Sequence, residues 1–362
     1  MSGPIKVSVL VGDLYTPNSL GIVTPLVIHR KILRSYGIQI SIFRKICPKL
    51  TECDVLILDS KYFRDRWVSA YEECVEELTT FKAQVNQLWW FNSADSAGSI
   101  QNQVMPLVDK YIKAQLYRNR NLYSKSFYGG RVFTDFYHSN LGVDDSISSY
   151  SKPLSIDEVS KLKLGWNFGL AGLCSQNAQI RARAYRLTKI DRCLRYRKPR
   201  CSSDRGNMIF TRLNTNYSLK TISYQRERTL DILRELGFSR SNRRVSRSQF
   251  YNELGVSRAA LSPFGYGEIN IRDFECFSRG VLLIKPDVSH LETFPSFYQN
   301  TETYVPFRWD FSDFEEVLSM VTSGSSQHEE IARAGQERFL AYTSSNGSAE
   351  KFTKHFLNLF HV

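Results

Sequence analysis

Short apolar runs alternate with helical patterns twice along this chain of 362 residues, and that alternation restricts the fold to parallel sheets joined by crossover helices. The first series runs 7–11, 38–43, 54–59 and 87–91, with a short fifth strand expected at 131–133. Helices are expected at about 23–36, closed by Gly37, and at 71–81. The second series has strands at 207–211, 259–263, 281–284 and 304–306. Its helices fall at 224–236, closed by Gly237, then up to Ser278 and at 313–322, followed by an amphipathic tail at 329–342 and 349–360. A single core stops growing below this length, so two domains are the default.

The boundaries follow the pattern. Residues 1–170 form an N-terminal Rossmann-like unit, 171–204 a basic connection, 205–345 a C-terminal Rossmann-like unit and 346–362 a final helix. Ser155-Ile156-Asp157-Glu158 is a capping box near the end of the first unit.

Charge needs a partner. The formal net charge is +12, a field that attracts phosphate on nucleotides, nucleic acid or a membrane surface. Nine basic residues and one acid, Asp191, fall between Ile180 and Arg200, interleaved with apolar and tyrosine residues. This segment reads either as a solvated linker or helix face, or as a docking surface for anionic lipid or a polyanionic acceptor. No stretch has the roughly 18–20 apolar residues of a membrane span, and the opening residues lack the pattern of a secretory signal. A cytoplasmic protein, peripheral on the inner face of the cytoplasmic membrane, is the expectation. The seven cysteines are scattered and fit neither a disulfide framework nor a zinc site.

The chemistry concentrates in residues 261–284. A strand delivers Gly265-Tyr266-Gly267-Glu268, and a helix follows whose first amides and positive dipole end face that loop, which makes an anion site. Arg272 in the first turn offers a forked cation suited to a diphosphate. Glu275, three positions on, has the acceptor pair that ribose hydroxyls need. Alone, an Arg-x-x-Glu pair on a helix is commonly a surface ion pair; its place after two glycines and before a buried strand favours a site. Glu268 is either a donor-sugar contact or a charge at the helix N-terminus. Arg212, at the carboxyl end of its strand, with Lys220 and Arg226 beyond it, are further phosphate candidates.

This block resembles the donor-binding motif of the GT-B glycosyltransferases, especially the CgeB-like, exostosin-like and group 1 members, across about residues 205–340. The acid of that motif falls on Glu275 and its arginine on Arg272, whereas the paired glutamates of the group 1 enzymes stand eight apart and Glu268 and Glu275 stand seven apart. The resemblance implies an α/β GT-B fold of two doubly wound domains facing a cleft, with the final helix packing back on the first domain. It implies transfer of a sugar from a nucleotide-sugar donor to a glycan or lipid-linked acceptor, in surface polysaccharide or glycoconjugate synthesis, by retention or inversion.

A base for the acceptor hydroxyl would come from the first domain: Asp13, Asp95, Asp135 and His138 all follow expected strands. Each has a plain structural alternative as a turn, cap or core residue. No phosphate loop, nucleophile elbow, zinc-protease helix or dinucleotide fingerprint is present, and no Asp-x-Asp element, so no cofactor or metal is expected. A non-catalytic binding subunit of the same fold, or a basic nucleic-acid-binding protein, are the competing classes.

Overall fold

The computed structural model describes residues 3–12, 14, 16–172, 174, 178–199, 205–238, 243–344 and 347–361. Seven strands belong to the first unit: β1 (Ile5–Leu10), β2 (Ile38–Phe43), β3 (Val55–Asp59), β4 (Gln87–Asn92), β5 (Lys110–Lys113), β6 (Gln115–Tyr117) and β7 (Leu162–Leu164). Six of them form a parallel sheet in the order β2-β1-β3-β4-β5-β7. The order reverses at β1, so the carboxyl ends of β1 and β3 flank the crevice where open sheets of this kind bind ligands.

The second unit contributes β8 (Gly206–Phe210), β9 (Ser257–Leu261), β10 (Leu282–Pro286), β11 (Leu291–Thr293) and β12 (Val305–Phe307). Its parallel sheet has the order β12-β10-β9-β8. Successive side chains along these strands serve opposite faces. Ala259, Leu261, Leu282 and Ile284 pack with Leu233, Leu318 and Val321 on one side, while Ala260 and Leu283 pack with Leu254, Phe274 and Phe277 on the other. Helices therefore cover both faces.

The units share a core. One buried cluster contains Leu56, Trp90 and Phe133 of the first unit together with Phe264, Phe274 and Phe297 of the second. A two-stranded antiparallel ribbon, β6 with β11, crosses between them. Asp145 accepts from both the backbone N–H (2.9 Å) and hydroxyl (2.8 Å) of Thr221, capping the helix Lys220–Glu235 from the other unit.

The helix Ser348–Asn358 returns to the first unit, as expected. Phe352 and Phe356 pack on Trp166, and His355 donates from Nε2 to the Gly165 carbonyl at 2.7 Å. Burial lowers the pKa of that imidazole. The basic connection is more than a linker. Ala178–Thr188 is a helix whose Ala182 and Tyr185 join the core of the first unit, along with Leu194.

The expectation of a strand at 131–133 is corrected. Val132–Leu141 is a helix ending at Gly142 in the left-handed region, and the fifth strand is β5. The strand was hidden because it begins and ends in lysine, and both lysines are buried.

Candidate functional site

The loops after β8 and β9 and the first turn of the helix Ile271–Arg279 wall two adjoining cavities. The larger, about 620 Å³, is lined by Arg212, Arg243, Arg244 and Arg272 with Asn214, Asn216 and Phe250. The smaller, about 290 Å³, lies between the units: Tyr217, Tyr266, Gly267 and Asn270 face Asn18, Asp95, Gln115 and Phe168. Residues 212–216 line one and Tyr217 the other, while Arg272 lines one and Ile271 the other.

Arg272 is held rigidly. Its Nη1 donates to the Leu261 carbonyl at 3.2 Å and its Nη2 to that of Arg212, and the guanidinium stacks over Phe210 and Phe250. Its Nε is buried with no hydrogen-bond partner among the described residues, and burial lowers the pKa of the group. A cation so placed, bonded to neutral carbonyls, keeps its charge for an anionic ligand. Arg212 differs: it forms a two-pronged pair with Glu253, with Nη2–Oε1 at 2.9 Å.

Arg226 braces the glycine loop. It donates to the carbonyls of Phe264 (2.7 Å) and Asn214 (3.1 Å) and lies over the ring of Tyr217. A Cβ at Gly265 would meet Arg226 and the Tyr217 hydroxyl, and one at Gly267 would lie 1.9 Å from the Asp95 carbonyl oxygen. The glycine at 267 thus serves close approach of the two units. Behind the loop, the fully buried Lys285 joins the Glu268 carbonyl (2.6 Å) to the Asp273 carboxylate (2.8 Å), and Asp273 also accepts from the Tyr298 hydroxyl and the Asn270 N–H.

Several expected residues take other positions. The Glu268 carboxylate crosses to the first unit, accepting from the Ser96 hydroxyl at 3.0 Å and the Ala97 N–H at 3.2 Å, fully buried. It clasps the units. Glu275 accepts from the Tyr251 hydroxyl at 2.8 Å inside the second unit and lines none of the cavities described here. Burial raises its pKa against the pull of Tyr251 and the neighbouring arginines. Lys220 is exposed at the start of its helix, away from both cavities.

Of the expected bases, Asp95 is exposed and is the sole carboxylate among the described residues lining the interdomain cavity. Asp135 accepts from the Tyr128 N–H at 2.8 Å in the first turn of its helix, and His138 stacks on Tyr128 and pairs with Asp144 at 2.6 Å. Neither lines the cleft, because both belong to a helix where a loop following a strand at 131–133 was expected. Asp13 lies outside the described residues.

Two groups had no sequence signal. Asp59, buried at the end of β3, accepts from the Ser19 hydroxyl and the N–H groups of Gly12 and Lys61, which ties together the loops of the first unit's crevice. Lys113 is fully buried at the end of β5 and donates to the Ser99 carbonyl at 2.9 Å. Burial pushes its pKa down to about 7, against the pull of Glu268 and Asp95 and with that of Arg131.

Residues 218–354 match the family described as glycosyl transferase-like. The match takes in the glycine loop, Arg226 and Arg272, and leaves the first sheet uncovered. With the two doubly wound units facing a cleft, the chain has the GT-B arrangement. No curated protein matches the sequence. Among solved structures, a glycosyltransferase from Rickettsia africae ESF-5 is similar with TM-score 0.48 and 10% identity over 99% of this chain and 100% of that one. Anabaena HepE, solved with UDP-glucose, gives 0.44 and 9% over 99% and 100%. An α-glucosyltransferase solved with UDP and a 13-mer DNA gives 0.43 and 10% over 99% and 100%. These scores lie under 0.5, so the fold assignment rests on strand order and cleft. No helix among the described residues is long and apolar enough to cross a membrane.

Proposed function

We propose that this protein is a glycosyltransferase that moves a sugar from a nucleotide-sugar donor to a glycan or lipid-linked acceptor in surface polysaccharide or glycoconjugate synthesis. One observation carries the reading: a cavity ringed by four arginines adjoins, across a shared wall, a second cavity that holds one exposed carboxylate. The nucleotide occupies the first, with Arg272 and the helix start on its phosphates and Phe250 offering a ring face. The sugar reaches into the second. There Asp95 takes the proton of the acceptor hydroxyl as its oxygen bonds to the anomeric carbon, and the bond from that carbon to the diphosphate breaks. Arginines supply the charge that stabilises the leaving group, so no metal is required. As a single displacement the reaction inverts the anomeric centre, which NMR of the first-formed product reads directly.

Docking on an anionic membrane is part of this proposal. The outward face of the basic segment exposes Ile180 (67%), Leu187 (77%) and Ile190 (40%) beside Arg183, Lys189, Arg192, Arg195 and Lys198. Apolar side chains ringed by cations suit the headgroup region of a cytoplasmic leaflet. The protein should sediment with phosphatidylglycerol vesicles and remain in solution with phosphatidylcholine; equal behaviour would remove the membrane from the scheme. For the activity itself, UDP, GDP, dTDP and CMP are compared for thermal stabilisation and binding heat. Failure of every nucleotide to bind would overturn the transferase reading.

A further inference from the structure

A third cavity, about 410 Å³, opens on the first unit and has no part in the donor site. Its volume falls in the range of roughly 300–1,000 Å³ common to small-molecule sites. Three cations line it, Lys125, Arg131 and Lys152, and no carboxylate does among the described lining residues. Phe127 and Tyr150 stand at the wall, the latter 60% exposed. Deeper in, Tyr117 and Tyr123 turn their hydroxyls into the protein: Tyr117 accepts from the Val132 N–H and Tyr123 donates to the Ala97 carbonyl. Both therefore offer ring surface rather than hydroxyl to an occupant.

The walls are fixed in advance. Phe127 and Gly129 pair with Ser149 and Ser151 through backbone and hydroxyl bonds of 2.7–3.0 Å, and Tyr128 bridges Tyr150. Arg131 is bonded to carbonyls, Nη1 to Gly129 at 2.6 Å and Nε to Tyr266 at 2.9 Å, and pairs directly with no acid among the described residues; Glu268, Asp95 and Asp145 act on it only through space. Tyr266 lines the interdomain cavity, so Arg131 joins the two sites. Between them runs one stretch of chain, with Ala94 and Asp95 on one side and Gly98 and Ser99 on the other.

Resting on the transferase reading, we propose that this cavity binds an acidic sugar of the acceptor, a ring carrying a carboxylate or phosphate. Its ring packs against the aromatic wall and its anion meets Lys125, Arg131 and Lys152, while the neighbouring unit of the acceptor presents its hydroxyl to Asp95. Three cations with no acid among the described residues of the lining select for a negative ligand, and the rigid wall lowers the ordering cost of binding it.

Saturation-transfer NMR on the full chain, with glucuronate, glucose 6-phosphate and glucose at millimolar concentration, tests this. Signal is expected from one or both acids and not from glucose, and which acid responds distinguishes carboxylate from phosphate recognition. Lys125→Gln/Lys152→Gln should weaken that signal at least about fivefold while UDP binding stays as in the parent. Saturating UDP should leave the acid in place. Equal signal from glucose, no signal from any probe, retention of signal in the double variant, or displacement by UDP would each overturn the proposal. Binding of the acids without any nucleotide binding would instead remove the donor reading and leave this cavity standing.

Discussion

Replacing Glu268 by alanine separates a clasp between the units from a contact with the donor sugar. The carboxylate is fully buried and accepts two bonds from the other unit, from Ser96 and Ala97. Its removal leaves a buried N–H and a buried hydroxyl without that acceptor, at about 1–3 kcal/mol each. Taking about 4 kcal/mol, and a melting entropy of roughly 0.8 kcal/mol per degree for 362 residues, Tm should fall by about 5 °C. Glu268→Gln keeps one acceptor and should lose about half as much. Differential scanning calorimetry gives Tm, and titration calorimetry gives affinities for a nucleoside diphosphate and its sugar conjugate. Both affinities should remain within about twofold of the parent, since the side chain lines neither donor cavity. An unchanged Tm with selective loss of affinity for the conjugate would refute the clasp and restore the sugar contact.

Asp95→Asn should lower transfer by about 10²–10⁴-fold with nucleotide affinity unchanged, read from initial rates and calorimetry. Arg272→Met should weaken nucleoside diphosphate binding by about 10–100-fold, the loss of one charge-assisted contact, and unaltered affinity would take Arg272 out of the site. Gly267→Ala sets a Cβ at 1.9 Å from the Asp95 carbonyl and must push the units apart, so transfer should fall at least about tenfold while the arginine cavity still binds nucleotide. Lys113 releases its proton near pH 7 in the folded chain and near 10.4 unfolded. Between those values the unfolded chain holds more protons, so stability rises with pH; below 7 the burial cost is felt in full. Lys113→Met should therefore raise Tm most at and below neutral pH, with the gain fading towards pH 10. Parallel Tm profiles would deny that Lys113 titrates in this range.

Sequence periodicity located β1 to β4 and β8 to β10, of which β3, β4, β9 and β10 are buried on both faces, and both Gly37 and Gly237 follow helices with positive φ. The Ser155–Glu158 capping box forms both of its bonds. Pattern failed where polar residues are buried by partners distant in sequence. β5 carries two buried lysines, one answered by the Leu359 carbonyl and the other by Ser99. The helix Arg247–Val256 buries only Tyr251 and Leu254, too few to print a stripe, yet it brings Phe250 to the arginine cavity, Glu253 to Arg212 and Tyr251 to Glu275. Local reasoning placed Arg272 at a helix start beside a glycine loop; which way Glu268 and Glu275 point depended on Ser96 and Tyr251, which no local pattern connects to them.

The way the arginines are satisfied explains how a basic chain keeps its charge available at the cleft. Arg131, Arg226 and Arg272 all donate to backbone carbonyls, which orient a guanidinium without cancelling it, whereas Arg212 spends its fork on Glu253. Carbonyl-held cations produce a standing positive potential that a phosphate or carboxylate can discharge, and an ion-paired one contributes far less. Glu253→Gln should consequently free Arg212 and tighten nucleoside diphosphate binding at low ionic strength. That gain should shrink as salt rises past about 0.15 M, where charges beyond roughly 8 Å are screened. Weaker binding at every salt concentration would mean instead that Glu253 holds Arg212 in the orientation the ligand needs.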